Sequence, residues 1–253
     1  MGVDVARYRH LSRAPLREAL IDLRFEPAVP LNVIDRFVAS IGDLYDKSTD
    51  LWTAVFGLSA NGQGAAMHSG NTAVGRRLES SRQPYVLQCQ VSGFTLSRLS
   101  PYADWLDLRK ETHRLWESFR KFAGPLVVTR IAVRYINELR LPVPFADFGE
   151  YLTCSPQVPE SLPQSLSGFL SRVIIPDDRM NCVSVVTQAY EGPPSDGPSG
   201  AAITVIFDID VSRMTRLDGA NDAEVWSGLD MLRDQKNRMF FEHLTEKTVE
   251  MYE

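Results

Sequence analysis

The stretch TRIAVRYIN, residues 129–137, alternates with the two-residue period of a β-strand. Ile131, Val133 and Tyr135 project to one side, and Arg130, Ala132, Arg134 and Ile136 to the other. Two guanidinium groups on one face of an otherwise apolar strand are costly to bury without partners. That face is therefore either solvated or supplied with carboxylates.

The carboxylates are supplied by FDIDV, residues 207–211, in which Phe207, Ile209 and Val211 share one face and Asp208 and Asp210 the other. A third strand, EALIDLRFE at Glu18–Glu26, alternates in the same way and adds Asp22, Arg24 and Glu26. Gln88 and Gln90 offer neutral donors and acceptors. On one sheet face these residues can form a charge-assisted network. Such a network suits a site that grips a zwitterionic or phosphorylated small molecule. It suits equally a solvated face whose ion pairs contribute about 0–1 kcal/mol each.

Around these strands the chain reads as two similar runs. Leu31–Tyr45 has the apolar spacing of an amphipathic helix, Leu51–Leu58 is a strand, and the Gly- and Asn-rich Ser59–Gly70 is a loop. Strands follow at Thr72–Glu79, Tyr85–Gln90 and Phe94–Leu99, then a helix over 104–122 that Gly124-Pro125 stops. The second run holds Val143-Pro144-Phe145, which echoes Val29-Pro30-Leu31 and places Phe148 and Tyr151 on Ile34 and Phe37. It continues through a Pro/Ser connector (Ser155–Ser165), strands at Phe169–Ile175 and Cys182–Tyr190, a mobile loop at Glu191–Gly200 and the strand Ala202–Val211. A final helix spans Asp222 to Met251, capped by Asn221 with Glu224 at its third position. Trp105, Leu108 and Phe119 match Trp226, Leu229 and Phe240.

The expected fold is α+β. A lead-in of residues 1–16 precedes two halves, 17–126 and 127–253, each running strand, helix, antiparallel strands, long helix. They form one curved sheet with helices on one face, like the TATA-box-binding-protein-like or helix-grip folds in order alone.

Composition bounds the function. The 253 residues are 44% hydrophobic and 23% charged, as in ordinary globular proteins. A net charge of −5 opposes a general polyanion surface, so nucleic acid is disfavoured. No apolar run spans a bilayer, and residues 1–20 lack the apolar core of a signal peptide, which points to the cytoplasm. Cys89, Cys154 and Cys182 are too scattered for a disulfide framework, and His10, His68, His113 and His243 have no ligand spacing. Asp208 and Asp210 lack a third metal ligand, and Gly62-x-Gly64 has Met67 where a third phosphate-loop glycine belongs. No catalytic residue, metal or cofactor is assigned.

RxAVRYINxL, the FDIDV strand, NRMFFEHLTEKT near the end and APLREALIDLRF near the start together resemble a sporadically distributed bacterial protein family. Arg134, Tyr135, Asn137, Asp208 and Asp210 fit its pattern, while Phe207 departs from it at a core-facing position. That family has no assigned activity and lends no catalytic residue. Its scattered distribution implies accessory genes of the defence or toxin–antitoxin kind. The candidate ligand-binding set is then Arg130, Arg134, Asn137, Asp208, Asp210, Asp22, Arg24 and Glu26. The leading expectation is a non-enzymatic binding or sensing protein that takes a small ligand or a protein partner on a concave charged face, with a homodimer left open. The alternatives are an enzyme acting on a nucleotide or phosphoester there, and a nucleic-acid binder.

Overall fold

Ile131, Val133 and Tyr135 are buried side by side on a 16-residue strand, β6 (Val127–Pro142), at the middle of the chain's one large sheet. The structure is a computed structural model and describes residues 4–61, 64–102, 104–164, 166–190, 192, 202–220 and 222–253; within 54–70 and at Asp222 it describes backbone alone. Eight further strands are β1 (Leu16–Glu26), β2 (Lys47–Asn61), β3 (Gly64–Glu79), β4 (Tyr85–Gln90), β5 (Gly93–Leu99), β7 (Phe169–Asp177), β8 (Cys182–Tyr190) and β9 (Ala202–Asp218). They form one nine-stranded sheet in the order β2-β3-β4-β5-β1-β6-β9-β8-β7, with every pairing antiparallel. Among the described residues there are four α-helices, α1 (Leu31–Ile41), α2 (Trp105–Ala123), α3 (Asp222–Glu242) and α4 (Glu246–Glu250).

Strand alternation explains why α2 and α3 share a side of the sheet. Odd residues of β1, β6 and β9 turn inward, so Phe25 of β1 and Phe94 of β5 meet Trp116 and Phe119 of α2, while Phe207 of β9 stacks near Phe240 of α3. Each of these large side chains contributes about 1.5–3 kcal/mol when fully buried. Asp104 starts α2 by accepting from the Asp107 N–H at 2.8 Å. Gly124, at φ +78°, stops it and donates its N–H to the Arg120 carbonyl. Even residues of β1, β6 and β9 face away from the helices, except Leu16 and Val128, which lie beyond register irregularities and join the core.

Four expectations are corrected by the backbone. Over its described residues Ser59–Gly70 is not a loop: β2 and β3 continue into it, paired from Lys47↔Glu79 to Asn61↔Gly64 with one register shift between Leu51 and Trp52. Small residues read as loop formers, but a continuous ladder pairs their backbone groups whatever their side chains. The first helix ends at Ile41, with Gly42 at its C-cap. Phe148–Glu150 forms only a 3-10 turn, so the second half has no counterpart of α1. The last helix breaks at His243–Thr245, where Ala6 donates its N–H to the Leu244 carbonyl, Leu152 bridges Leu244, and the Thr245 N–H bonds the Tyr151 carbonyl. Thr245 then caps α4 through its hydroxyl. The expected mobile loop at Glu191–Gly200, apart from Gly192, and the Asn221 cap lie outside the described residues.

Candidate functional site

The helix-free face carries the charged residues that the three alternating strands foreshadow. Its centre is Asp22, the one buried carboxylate among the described residues, placed on β1 between the core-facing Ile21 and Leu23. Asp22 Oδ1 accepts from Arg24 Nε at 3.1 Å and from Arg130 Nη1 at 2.8 Å, and Oδ2 accepts from the Thr95 hydroxyl at 2.7 Å. Arg24 also donates to Gln90 Oε1 at 3.0 Å. The buried carboxylate thus has two guanidiniums and a hydroxyl, which is what makes its burial tolerable.

A second pair lies beside it. Arg134 grips Asp208 with two parallel bonds, Nε to Oδ1 at 2.9 Å and Nη2 to Oδ2 at 2.6 Å. Hydrogen bonding to Asp208 raises the Arg134 pKa. In register, Arg134 stands opposite Asp210, not Asp208, so the bidentate pair is a diagonal contact between β6 and β9.

Asp210 sits between the two groups. Its Oδ1 is 3.6 Å from Arg130 Nη2 and has no hydrogen-bond partner. Burial pushes its carboxyl above the ordinary aspartate value of 3.8, against the attraction of Arg130 and Arg134.

Two members of the candidate set stand apart. Asn137 is buried on the opposite, helix-packed face, where its amide donates to the Phe207 carbonyl at 3.0 Å. It is an odd-numbered residue on β6, so strand alternation separates it from Arg130 and Arg134. Glu26 reaches outward to Arg216 at 2.7 Å and does not touch the network. Gln88 lies in register with Thr95, beside the network.

Two features were not read from the sequence. Thr95, a ligand of Asp22, could have been found from the polar alternation of Thr95 and Ser97 between Phe94 and Leu96. The helix-free face also carries exposed apolar residues beside the charges: Leu170, Ile174, Val183 and Met214. One row of the register joins both kinds of residue, running Leu20, Arg134, Asp210, Val185, Ile174 across five strands. Phe169–Ile175 carries apolar residues on both of its faces, interrupted by Ser171 and Arg172, which was the available signal.

The helix side has its own features. Lys236 of α3 is buried, its Nζ 3.7 Å from the Tyr135 ring centroid, and desolvation lowers its pKa to about 7. Cavities of about 220 and 360 Å³ flank α3, the first beside Arg213 and Gly228 and the second beside Arg109, His113 and Trp226. Among the described residues no three His, Cys, Asp or Glu side chains come together as a metal-binding group. No described helix is long and apolar enough to cross a membrane.

Fold and site together define an α+β protein with one broad antiparallel sheet, helices on one side and a fixed charge network on the other. The chain matches no family model and no curated protein.

Proposed function

We propose that the chain is a cytoplasmic binding protein that takes a protein partner on the helix-free face of its sheet. The observation that carries this reading is the shared row from Arg134 and Asp210 to Ile174. A hydrogen-bonded charge network and exposed apolar side chains occupy one continuous face. Contiguous exposed apolar surface marks interaction sites, and fixed charges beside it set register and partner choice. A second reading, a small ligand, is favoured by one atom: Asp210 Oδ1, which a ligand donor would satisfy.

The face is proposed to have arisen by internal duplication of residues 17–126 and 127–253. Outward from the centre the first half runs β1, β5, β4, β3, and the second runs β6, β9, β8, β7. Each half begins at the centre, and in each the last strand beside it leads into a long helix. β2 and α1 are then additions to the first half. This arrangement favours the TATA-box-binding-protein-like order over the helix-grip one, as a likeness of topology without function.

The test is hydroxyl-radical footprinting of the chain inside its own cells and after purification. Met214, Leu170 and Ile174 are expected to be protected in the cell, and Leu106, equally exposed on α2, is not. Equal labelling of all four in both states would remove the proposal.

A further inference from the structure

We propose that the edge of β7 docks an extended, acidic segment of a partner protein, which adds to the sheet as a tenth strand. This deepens the reading of the helix-free face as a protein interface and rests on it. β7 is the last strand in the sheet order and is bonded to β8 alone, so among the described residues its outer backbone N–H and C=O groups meet no neighbouring strand. Edge strands are ordinarily guarded by charges, bulges, proline or a covering segment. Here the ladder runs from Phe169↔Tyr190 to Asp177↔Cys182 without a register shift. Leu170, Val173 and Ile174 are 75%, 45% and 61% exposed, and Arg172 is the one charge in the 169–175 stretch. Pro176 stands within the ladder opposite Val183 and has no N–H to offer, so the stretch open to pairing is 169–175.

The chemistry of the occupant follows from the side chains on the helix-free face: Leu170, Arg172 and Ile174 in alternation. An added strand sets its own residues directly opposite these. It is matched by an apolar, an acidic and an apolar residue at alternate positions. Arg172 is exposed and has no ion pair among the described residues. The carboxylate in its own register row, Asp208, is already held by both nitrogens of Arg134.

A second copy of this chain fits less well. A two-fold axis through paired β7 edges keeps the helix-free faces on one side, so even residues meet even residues. Arg172 would then face Leu170, Arg172, Ile174 or Pro176 of the other copy, none of them acidic. Asp177, the carboxylate of this strand, belongs to the other face. The charge pattern selects a different chain as partner.

The probe is a blocked nine-residue peptide with Ile, Glu and Ile at alternate positions between threonines, and a twin with Lys for Glu. Both are titrated into the full chain to millimolar concentration, with binding read by anisotropy and by amide hydrogen exchange of residues 169–177. The acidic peptide should bind at least tenfold tighter than its twin and slow exchange in β7, and Arg172→Glu should reverse the order. Leu106→Ala, on α2 and away from the edge, should leave peptide binding unchanged. Equal affinity for the two peptides, no binding of either, or an order indifferent to Arg172→Glu would overturn the proposal. So would a sedimenting dimer dispersed by Ile174→Lys, which would make a second copy the occupant. If the peptides fail while Met214 and Ile174 remain protected in the cell, strand addition falls and the protein-binding face stands. If that protection is absent too, both readings fall together.

Discussion

Asp210 is the residue at which the network is incomplete, and its chemistry gives a signed prediction. Burial raises its carboxyl pKa because an ionised Oδ1 without a hydrogen bond is poorly solvated. A group that holds its proton more tightly folded than unfolded stabilises the fold fully below its unfolded value, here 3.8. That contribution is lost as pH rises through the raised, folded value. Asp210→Asn carries no such charge, so the variant should gain on the wild type as pH rises from about 3 to about 6. Paired denaturant midpoints across that range measure it, and a difference that is flat or runs the other way would show that Asp210 is well solvated. Arg134 and Asp208 were legible as members of one face from alternation alone. Their diagonal pairing was not, because register fixes which Cα atoms oppose and side-chain length fixes which charges meet. Asn137 shows the opposite failure: membership in a motif put it in the set, while simple parity along β6 put it on the other face.

At the scale of elements, strands with one charged face were legible by their centres, although β6 and β9 run on to Pro142 and Asp218, and helix ends only where the chain itself carries the stop. Gly124 ends α2 by its own conformation. The break before α4 instead depends on backbone bonds to Ala6 and Tyr151, far away in sequence, so no local pattern could mark it. The β2–β3 hairpin was hidden for a related reason: its ladder pairs backbone groups, which a run of small residues does not announce. Gly228 gives a test of how closely an element can be held. A Cβ there would lie 2.7 Å from Ile131 Cδ1 and 2.6 Å from the Arg213 guanidinium, so α3 rests on β6 and β9 through a bare backbone. Alanine is the better helix former by about 1 kcal/mol, and the two atoms that a methyl would displace are side-chain ends beside a cavity of about 220 Å³. Gly228→Ala should therefore leave stability unchanged or raise it by up to about 1 kcal/mol. A variant less stable than wild type would mean that the buried Ile131 cannot give way.

At the scale of the whole molecule, the question is whether the two halves are separable units or one. The sheet joins them at its middle, where β1 and β6 pair from Leu16↔Asn137 to Glu26↔Val127 with two register irregularities. Buried residues of both halves belong to one core cluster. Polar contacts also cross the boundary: Arg130 to Asp22, the hydroxyls of Tyr102 and Tyr135 at 2.9 Å, and the Trp105 indole to Asp230 at 2.8 Å. Cutting between residues 126 and 127 would strip the ladder from Ile21, Leu23, Ile131 and Val133, each wholly buried in the intact sheet. Each half would then present a long apolar strand edge, the condition that drives association. Fragments 1–126 and 127–253, made separately, should show no sharp unfolding transition, and mixing them should restore one. Near-UV circular dichroism follows the recovery through the buried Trp105 and Trp116 of the first half and Trp226 of the second. A cooperative transition in fragment 127–253 alone would show a self-sufficient second half, joined to the first by contact and not by a shared core.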